Sequence, residues 1–194
     1  LGHAPGGVAI YSSHYPSVDP AEYPDRESFR SALNGVYMGY KWQCVEFARR
    51  WLYVNHGCVF DDVAMAYDIF SLHSMTRLED QQLLPVHAFR NGSKRPPEPG
   101  CMLIWDDAGE FEVTGHVAIV TEVSAGQVRF AEQNVGHHKL PEGRNWSREL
   151  PLTRSDDGGF FVSAAYPGSS ILGWVIQTAD ATHAEIPKAR QPGL

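Results

Sequence analysis

The hydrophobic pattern favours a helix over residues 42–54. Apolar and small side chains recur there at the three- and four-residue spacing that brings them onto one helical face. They are Cys44, Phe47, Ala48, Trp51 and Leu52. Gly57 follows at the position where a glycine commonly ends a helix. We therefore predict an amphipathic helix that begins close to Cys44.

Capping and turn residues predict the local structure of three further segments. A second helix should run from Asp61 or Asp62, either of which can cap it, to about residue 72. The first forty residues are rich in Gly, Pro, Ser and Tyr, so we expect irregular structure with at most a short helix around residues 25–33. Residues 91–100 contain three prolines and two glycines, which predicts a loop.

After residue 100 the pattern changes from helical to strand-like. Strands are predicted over residues 102–105, 116–123, 127–134, 160–166 and 171–177. Helices followed by strands favour an α+β fold, with N-terminal helices packed on a largely antiparallel sheet. We expect one domain over residues 1–181 and a linker or loose C-terminal tail over residues 182–194, which are polar and contain prolines.

Composition and charge limit the kinds of molecule that the protein is expected to bind. Of the 194 residues, 43% are hydrophobic and 20% are charged, which is typical of a soluble globular domain. Lys and Arg number 16 against 23 Asp and Glu, a formal net charge of −7. Nucleic-acid binding usually needs a basic face, so this balance argues against a nucleic-acid partner. It is compatible with a cationic substrate.

Cysteine usage and the absence of long apolar runs predict the compartment. Three cysteines (Cys44, Cys58 and Cys101) fit a reducing cytosol with at least one free thiol better than a disulfide framework. No apolar run approaches the roughly 20 residues that span a bilayer. Residues 1–13 lack the basic start and apolar stretch of a signal peptide. We expect a cytoplasmic protein with no membrane partner; an export signal already removed before Leu1 is the alternative.

Cys44 is the first candidate for chemistry. It lies at the predicted start of a helix, where unpaired backbone N–H groups and the aligned peptide dipoles favour negative charge. The thiolate is the nucleophilic form of cysteine, and this position lowers the thiol pKa. The alternative is a small buried apolar residue, which most free cysteines are.

A predicted hairpin brings three polar residues together. Residues 124–126 form a three-residue connection with glycine at the position that favours a left-handed conformation. This closure predicts His116 opposite Asn134 and Ala118 opposite Glu132. Since side chains alternate along a strand, His116, Glu132 and Asn134 should share one face, with His116 and Glu132 as diagonal neighbours.

A histidine beside a carboxylate, facing a cysteine at a helix start, has the groups that thiol catalysis needs. His116 would act as the base and Glu132 would orient it, as the third residue of a serine triad does. The alternative for His116 is a hydrogen-bonded histidine within the sheet. Glu132 argues more strongly for function, because a carboxylate in an apolar strand is costly unless it is paired.

Three other side chains are candidates for contacts with the substrate. Gln43 could donate to the developing oxyanion together with the Cys44 backbone N–H, or be a surface glutamine. Asn134 could line the site or cap the strand. Arg49 could hold a substrate carboxylate or be a solvated helix arginine. No Cys-x-x-Cys or His-Glu-x-x-His motif is present, so we predict no metal and no cofactor.

Three motifs resemble the CHAP family of cysteine, histidine-dependent amidohydrolases/peptidases. They are residues 41–50 (Lys-Trp-Gln-Cys-Val-Glu-Phe-Ala-Arg-Arg), 114–120 (Thr-Gly-His-Val-Ala-Ile-Val) and 131–134 (Ala-Glu-Gln-Asn). More narrowly, the chain resembles the amidase domain of bifunctional glutathionylspermidine synthetase/amidase and its trypanothione relatives. Residues 2–13 and 171–174 match that narrower family too. The likeness extends over about residues 2–180.

The resemblance implies a papain-like fold of the CHAP/NlpC-P60 type and hydrolysis of the amide between the glycine of glutathione and spermidine. By the family pattern, Cys44 would be the nucleophile, His116 the base and Glu132 the orienting carboxylate. Longer relatives carry an ATP-dependent synthetase domain after the amidase. We therefore expect this chain to be either a fragment of such a protein or a stand-alone amidase.

Two other functions are compatible with the sequence. Other CHAP domains are peptidoglycan amidases or endopeptidases, although no export signal or cell-wall-binding module is recognisable here. A module that binds the glutathione–polyamine conjugate without cleaving it is the alternative from a different class. The complete set of triad residues argues against such an inactive module.

Overall fold

The computed structural model describes residues 1–186, which contain one α-helix and thirteen β-strands. The helix is α1 (Cys44–His56). The strands are β1 (Gly2–Ala4), β2 (Val8–Ile10), β3 (Arg30–Leu33), β4 (Val36–Tyr40), β5 (Cys58–Val59), β6 (Ser74–Arg77), β7 (Leu83–Arg90), β8 (Met102–Trp105), β9 (His116–Ser124), β10 (Gln127–Ala131), β11 (Arg148–Arg154), β12 (Phe160–Val162) and β13 (Ile171–Gln177). Short 3-10 helices span Pro5–Gly7, Tyr15–Ser17, Glu27–Phe29, Ala66–Ser71 and Gly109–Phe111.

Nine of the strands form one sheet in the order β12-β11-β10-β9-β8-β13-β7-β6-β5. Every neighbouring pair in it is antiparallel. The remaining strands form two hairpins, β1 with β2 and β3 with β4. A helix packed on an antiparallel sheet confirms the predicted α+β class for residues 1–186.

The helix predicted around Cys44 is confirmed. It begins at Cys44 and ends before Gly57, which adopts the left-handed conformation (φ 61°). Its apolar face is buried, with Phe47 fully inaccessible and Leu52 3% exposed. This face belongs to a core that also contains Val117 and Ile119 of β9. The same hydrophobic spacing that predicts the helix therefore anchors it against the central sheet.

The first five residues of β9 are buried on both faces of the sheet. Val117 and Ile119 belong to the core under α1, whereas Ala118 and Val120 belong to a second core on the opposite side of the sheet. The large side chain of Trp105 is fully buried in that second core. Because both faces are packed, the position of β9 relative to α1 is fixed, and so is the position of its first residue, His116.

The prediction of a second helix from Asp61 or Asp62 to residue 72 is wrong in type and start. The chain there forms a six-residue 3-10 helix, Ala66–Ser71. The N–H of Met65, the residue before this 3-10 helix, donates to Asp68 Oδ2 at 3.1 Å. Asp62 is exposed and lies on the wall of a cavity, as described below.

Several strands of the structure were not predicted, or begin and end at residues other than the predicted ones. The first forty residues are less irregular than expected, because they contain the hairpins β1–β2 and β3–β4, and residues 25–33 form a 3-10 helix followed by β3. Strands β5, β6, β7 and β11 had no predicted counterpart. Pro85 and His87 interrupt the apolar pattern of β7, which explains why it was missed. The strand predicted over residues 160–166 ends at Val162.

The hairpin β9–β10 has the predicted register near the site but not at the turn. Ser124 pairs with Gln127, so the connection has two residues instead of three. A β-bulge between Arg129 and Phe130 then shifts the pairing by one residue, and Ala131 pairs with Ile119 as predicted. Strand β10 ends there, so the predicted pair of His116 with Asn134 does not form.

The predicted tail over residues 182–194 lies partly outside the described residues, which end at 186. Within them, the Glu185 N–H donates to the Ala88 carbonyl at 2.7 Å, and the Glu185 carboxylate pairs with Arg90. Residues 182–186 therefore contact β7. None of the helices within residues 1–186 has the length and apolar character needed to cross a bilayer.

Candidate active site

Cys44 is the first residue of α1, at the end where backbone N–H groups have no partner within the helix. The side chain is 7% exposed. Its thiol contacts the backbone N–H groups of Val45, in the first helical turn, and of Val117, in β9. The start of α1 and the start of β9 therefore meet at the sulfur atom.

His116 is the first residue of β9 and is 2% exposed. It lies opposite Trp105 of β8 and stacks on Phe111, with ring centroids 4.6 Å apart and an interplanar angle of 10°. Its imidazole is hydrogen-bonded to the Cys44 thiol. The stacked ring and the strand position together fix the orientation of the imidazole.

The pKa values of Cys44 and His116 move in opposite directions. Burial alone would raise the pKa of Cys44, but the charge and hydrogen bond of His116 and the two backbone N–H groups lower it below its ordinary value. Burial alone would lower the pKa of His116, but the charge and hydrogen bond of Cys44, followed by those of Glu132, raise it. Both shifts favour a thiolate–imidazolium pair.

Glu132 is 3% exposed and is surrounded by hydrogen-bond donors. Its Oε2 lies 2.9 Å from His116 Nε2, and Arg148 Nε donates to its Oε1 at 2.9 Å. Tyr166 Oη lies 2.7 and 2.8 Å from the two oxygens. Since Nε2 of His116 faces the carboxylate, Nδ1 is the ring nitrogen available to the thiol.

Tyr166 and Arg148 contact Glu132, and no sequence pattern predicted either contact. Burial, followed by the negative charge of Glu132, raises the pKa of Tyr166, so its hydroxyl remains a donor to the carboxylate. Arg148 begins β11, a strand for which no pattern was recognised, and Tyr166 follows the end of β12. No local signal links either residue to Glu132, because the contacts depend on how distant strands pack.

Gln133 ties the end of β10 to the start of α1. It is 1% exposed, and its amide nitrogen donates to the Gln43 carbonyl at 3.2 Å and to Glu46 Oε2 at 2.9 Å. Glu46 is itself paired with Arg50 at 2.7 Å. These buried bonds hold the segment that carries Glu132 against the helix that carries Cys44.

Gln43 precedes the helix, and its side-chain amide has a partner at each end. Its Oε1 accepts a hydrogen bond from Asn134 Nδ2 at 2.9 Å, and its Nε2 is bonded to Tyr15 Oη. Both Gln43 and Asn134 line the same cavity as Cys44. The structure thus brings Asn134 to Gln43, whereas we expected it on the same strand face as His116 and Glu132.

Arg49 is not at the site, which corrects the prediction that it holds a substrate carboxylate. It is 5% exposed, and its guanidinium donates to the carbonyls of Phe60 and, at 2.8 Å, of Tyr37. Arg49 does not line the cavity, and its guanidinium is occupied by two backbone carbonyls.

A cavity of about 580 Å³ opens over Cys44 and His116. Three charged side chains on its wall are Arg26, Asp62 and Glu110, and all three are exposed. Two carboxylates against one guanidinium favour a ligand with cationic groups. Among residues 1–186, no three His, Cys, Asp or Glu side chains are grouped to hold a metal ion.

Residues 35–134 match the family described as the CHAP domain. The match begins before α1 and ends at Asn134, so it includes Cys44, His116 and Glu132. The chain belongs to the CHAP domain family. This result agrees with the resemblance seen in the three sequence motifs.

Curated relatives of this CHAP domain are much longer proteins. It is 52% identical over 183 residues to the bifunctional glutathionylspermidine synthetase/amidase of Escherichia coli (strain K12), covering 94% of this chain and 29% of the relative. It is 35% identical over 176 residues to the trypanothione synthetase of Crithidia fasciculata, covering 90% of this chain and 26% of the relative. The chain therefore spans less than a third of the length of these relatives.

Proposed function

We propose that this CHAP domain is a cysteine amidase that hydrolyses the amide between the glycine of glutathione and spermidine. The observation that carries the proposal is the line of contacts from the Cys44 thiol through His116 to Glu132, at the start of α1. The choice of substrate is supported by the 52% identity to a glutathionylspermidine synthetase/amidase. A polyamine also suits a cavity wall that carries Asp62 and Glu110.

The first half of the reaction is acyl transfer to sulfur. The Cys44 thiolate attacks the glycyl carbonyl carbon, a C–S bond forms, and the carbonyl electron pair moves onto oxygen. The Cys44 backbone N–H and the Gln43 side-chain amide are the donors for this oxyanion. As the oxyanion collapses, the C–N bond breaks, and the His116 imidazolium gives its proton to the departing spermidine nitrogen.

The second half releases glutathione. His116, now neutral, takes a proton from water while the water oxygen attacks the thioester carbonyl. The C–S bond then breaks, which restores the thiolate–imidazolium pair and gives the glycine carboxyl group, whose proton is lost to solvent to leave the free carboxylate. Glu132 stabilises the imidazolium in both halves and keeps its Nδ1 directed towards sulfur.

Two broader assignments accompany this proposal. A catalytic cysteine at a helix start, with its histidine on an antiparallel sheet, supports a papain-like fold of the CHAP/NlpC-P60 type. We also propose the same site residues, catalytic Cys44, His116 and Glu132, for any amide that this cavity accepts. Location in the cytoplasm stays a prediction from cysteine usage.

The substrate proposal is tested by incubating the protein with glutathionylspermidine and, separately, with a crosslinked muropeptide. We expect free spermidine and glutathione in equal amounts from the conjugate and no cleavage of the muropeptide. Cleavage of the muropeptide alone would move the function to the cell wall. Saturable binding of the conjugate without turnover would support a binding module.

The ionisation of Cys44 can be tested without any substrate. We expect iodoacetamide to alkylate Cys44 selectively, with a pH midpoint below the ordinary thiol pKa of about 8.5, because His116 lowers the pKa of Cys44. In His116→Ala the midpoint should move to higher pH. Peptide mass spectrometry of samples labelled across a pH series measures both midpoints.

The other two cysteines are internal controls for this labelling. Burial raises the pKa of Cys58 to about 11 and that of Cys101 to about 12. Neither should be alkylated in the native protein at neutral pH. Labelling of Cys44 at no greater rate than Cys58, or an unmoved midpoint in His116→Ala, would contradict the proposed thiolate–imidazolium pair.

A further inference from the structure

The side-chain amide of Gln43 is held from two sides by residues that the mechanism above does not use. Tyr15 Oη contacts its nitrogen, and Asn134 Nδ2 lies 2.9 Å from its oxygen. An amide can present either its NH₂ group or its oxygen to a reaction centre. Only the NH₂ group stabilises an oxyanion, so the orientation of this amide matters for catalysis.

The bonds of Tyr15 determine which end of the Gln43 amide faces it. The tyrosine hydroxyl has one hydrogen, which it donates to the Lys41 carbonyl at 2.8 Å. Towards other groups it can only accept, as it does from the Trp42 N–H at 3.2 Å. Gln43 must therefore present Nε2 to Tyr15, which uses one of the two Nε2 hydrogens and leaves the second one free.

Asn134 reinforces the same orientation from the other side. Residue 134 adopts a left-handed backbone conformation (φ 70°), which Asn and Asp tolerate better than most residues. Its Nδ2 donates to Gln43 Oε1. If the Gln43 amide were turned by 180°, its NH₂ group would face the NH₂ group of Asn134. Its oxygen would face Tyr15 Oη, whose one hydrogen is already donated to the Lys41 carbonyl.

We propose that Tyr15 and Asn134 are positioning residues that lock the Gln43 amide with its free N–H directed to the oxyanion. The proposal rests on the amidase function proposed above. It replaces the sequence-based expectation that Asn134 binds substrate directly. Tyr15 and Asn134 then act on the transition state through Gln43, without touching the reacting atoms.

Two isosteric variants separate this role from packing. Asn134→Asp keeps the shape and the tolerated backbone conformation but replaces the donor by an acceptor, which repels Gln43 Oε1 and favours the wrong orientation. Tyr15→Phe removes only the hydroxyl, and its ring can keep the contacts with Phe29 and Trp42 at 5.7 and 6.0 Å between centroids. Loss of one oxyanion donor typically costs 10²- to 10³-fold in kcat.

The decisive measurement is a double-mutant cycle on hydrolysis of glutathionylspermidine. We expect kcat to fall about 10²-fold in Asn134→Asp and about 10-fold in Tyr15→Phe, with KM changed less than kcat. In a Gln43→Ala background the same substitutions should change kcat less than about twofold, since there is no amide left to orient. Matched controls are Asn145→Asp, at an exposed loop position, and Tyr53→Phe, whose hydroxyl bonds Asn34 outside the cavity.

Undiminished effects in the Gln43→Ala background would overturn the proposal, as would a higher KM with kcat unaltered in Asn134→Asp.

Failure of the amidase function itself would be visible in the unmodified protein, which would release no spermidine. For that case, NMR of the ¹⁵N-labelled protein supplies a test that needs no substrate. The Gln43 Nε2 hydrogen bonded to Tyr15 should be shifted downfield of an exposed glutamine amide and exchange slowly with water, and both features should be lost in Tyr15→Phe. Chemical shifts and exchange of an exposed glutamine for both Nε2 hydrogens in the unmodified protein would overturn the proposal.

Discussion

Replacing Cys44 by alanine should lower kcat/KM for glutathionylspermidine by about 10⁴-fold or more, to the limit of detection. The sulfur atom forms the covalent bond in the proposed mechanism, and loss of the nucleophile in comparable hydrolases has effects of this size. Alanine is a good helix former, so α1 should still begin at residue 44. Spermidine release, measured together with the circular dichroism spectrum, separates loss of chemistry from loss of fold.

Cys101→Ala is the matched control for this prediction. Cys101 is buried like Cys44, at 3% against 7% exposure, but it belongs to the second core and does not line the catalytic cavity. The substitution should lower stability by about 1 kcal/mol and leave turnover within about twofold of the unmodified protein. Spermidine release by Cys44→Ala at more than a few per cent of the unmodified rate would contradict the assignment of the nucleophile.

Glu132→Gln should have the second largest effect, a fall in kcat of roughly 10²- to 10⁴-fold. The carboxylate accepts from His116, Arg148 and Tyr166. A glutamine has one acceptor oxygen and a donor NH₂ group, so at least one of these donors would face another donor. The neutral side chain would also no longer stabilise the imidazolium.

The pH profile identifies the cause of that loss. Glu132 raises the pKa of His116, so Glu132→Gln should lower it and move the alkaline limb of kcat/KM to lower pH. Glu149→Gln serves as the control, because Glu149 lies next to Arg148 on β11 but pairs with Arg129 at the surface. An alkaline limb that does not move, or an equal loss of activity in Glu149→Gln, would contradict the orienting role of Glu132.

The residues of the candidate site were predictable where the signal is local. Helical spacing predicted the start of α1 close to Cys44, and a run of apolar and β-branched residues predicted β9, which begins at His116. Glu132 was recognisable because a carboxylate within the predicted apolar strand over residues 127–134 needs a partner, although β10 ends one residue before it. In each case a short stretch of sequence carries the relevant periodicity.

The predicted register of the β9–β10 hairpin matches the structure near the site, because two differences from the prediction cancel each other. The turn is one residue shorter than predicted, and the bulge between Arg129 and Phe130 restores the alignment at Ala131. A bulge depends on how the strand twists against its neighbours, so it has no dependable local signature. Without the bulge, Glu132 and His116 would lie on opposite faces of the sheet.

The support around the triad could not be predicted, because it comes from distant segments. Tyr166 and Arg148 reach Glu132 from 34 and 16 residues away, and Tyr15 reaches Gln43 from 28 residues away. Arg49 was predicted at the site because it is close to Cys44 in sequence. In the structure its guanidinium instead donates to two backbone carbonyls. Which of these side chains reach the site depends on how α1 packs against the rest of the fold, and this packing has no local sequence signal.

The proposed mechanism requires a covalent intermediate on Cys44, and trapping this intermediate is the most direct test of it. The protein is mixed with excess glutathionylspermidine, quenched with acid during turnover, digested and analysed by mass spectrometry. We expect the peptide containing Cys44 to gain the mass of glutathione less one water, and we expect this adduct to be absent in Cys44→Ala. Turnover with no adduct on Cys44, or an adduct on a different residue, would contradict the proposed mechanism.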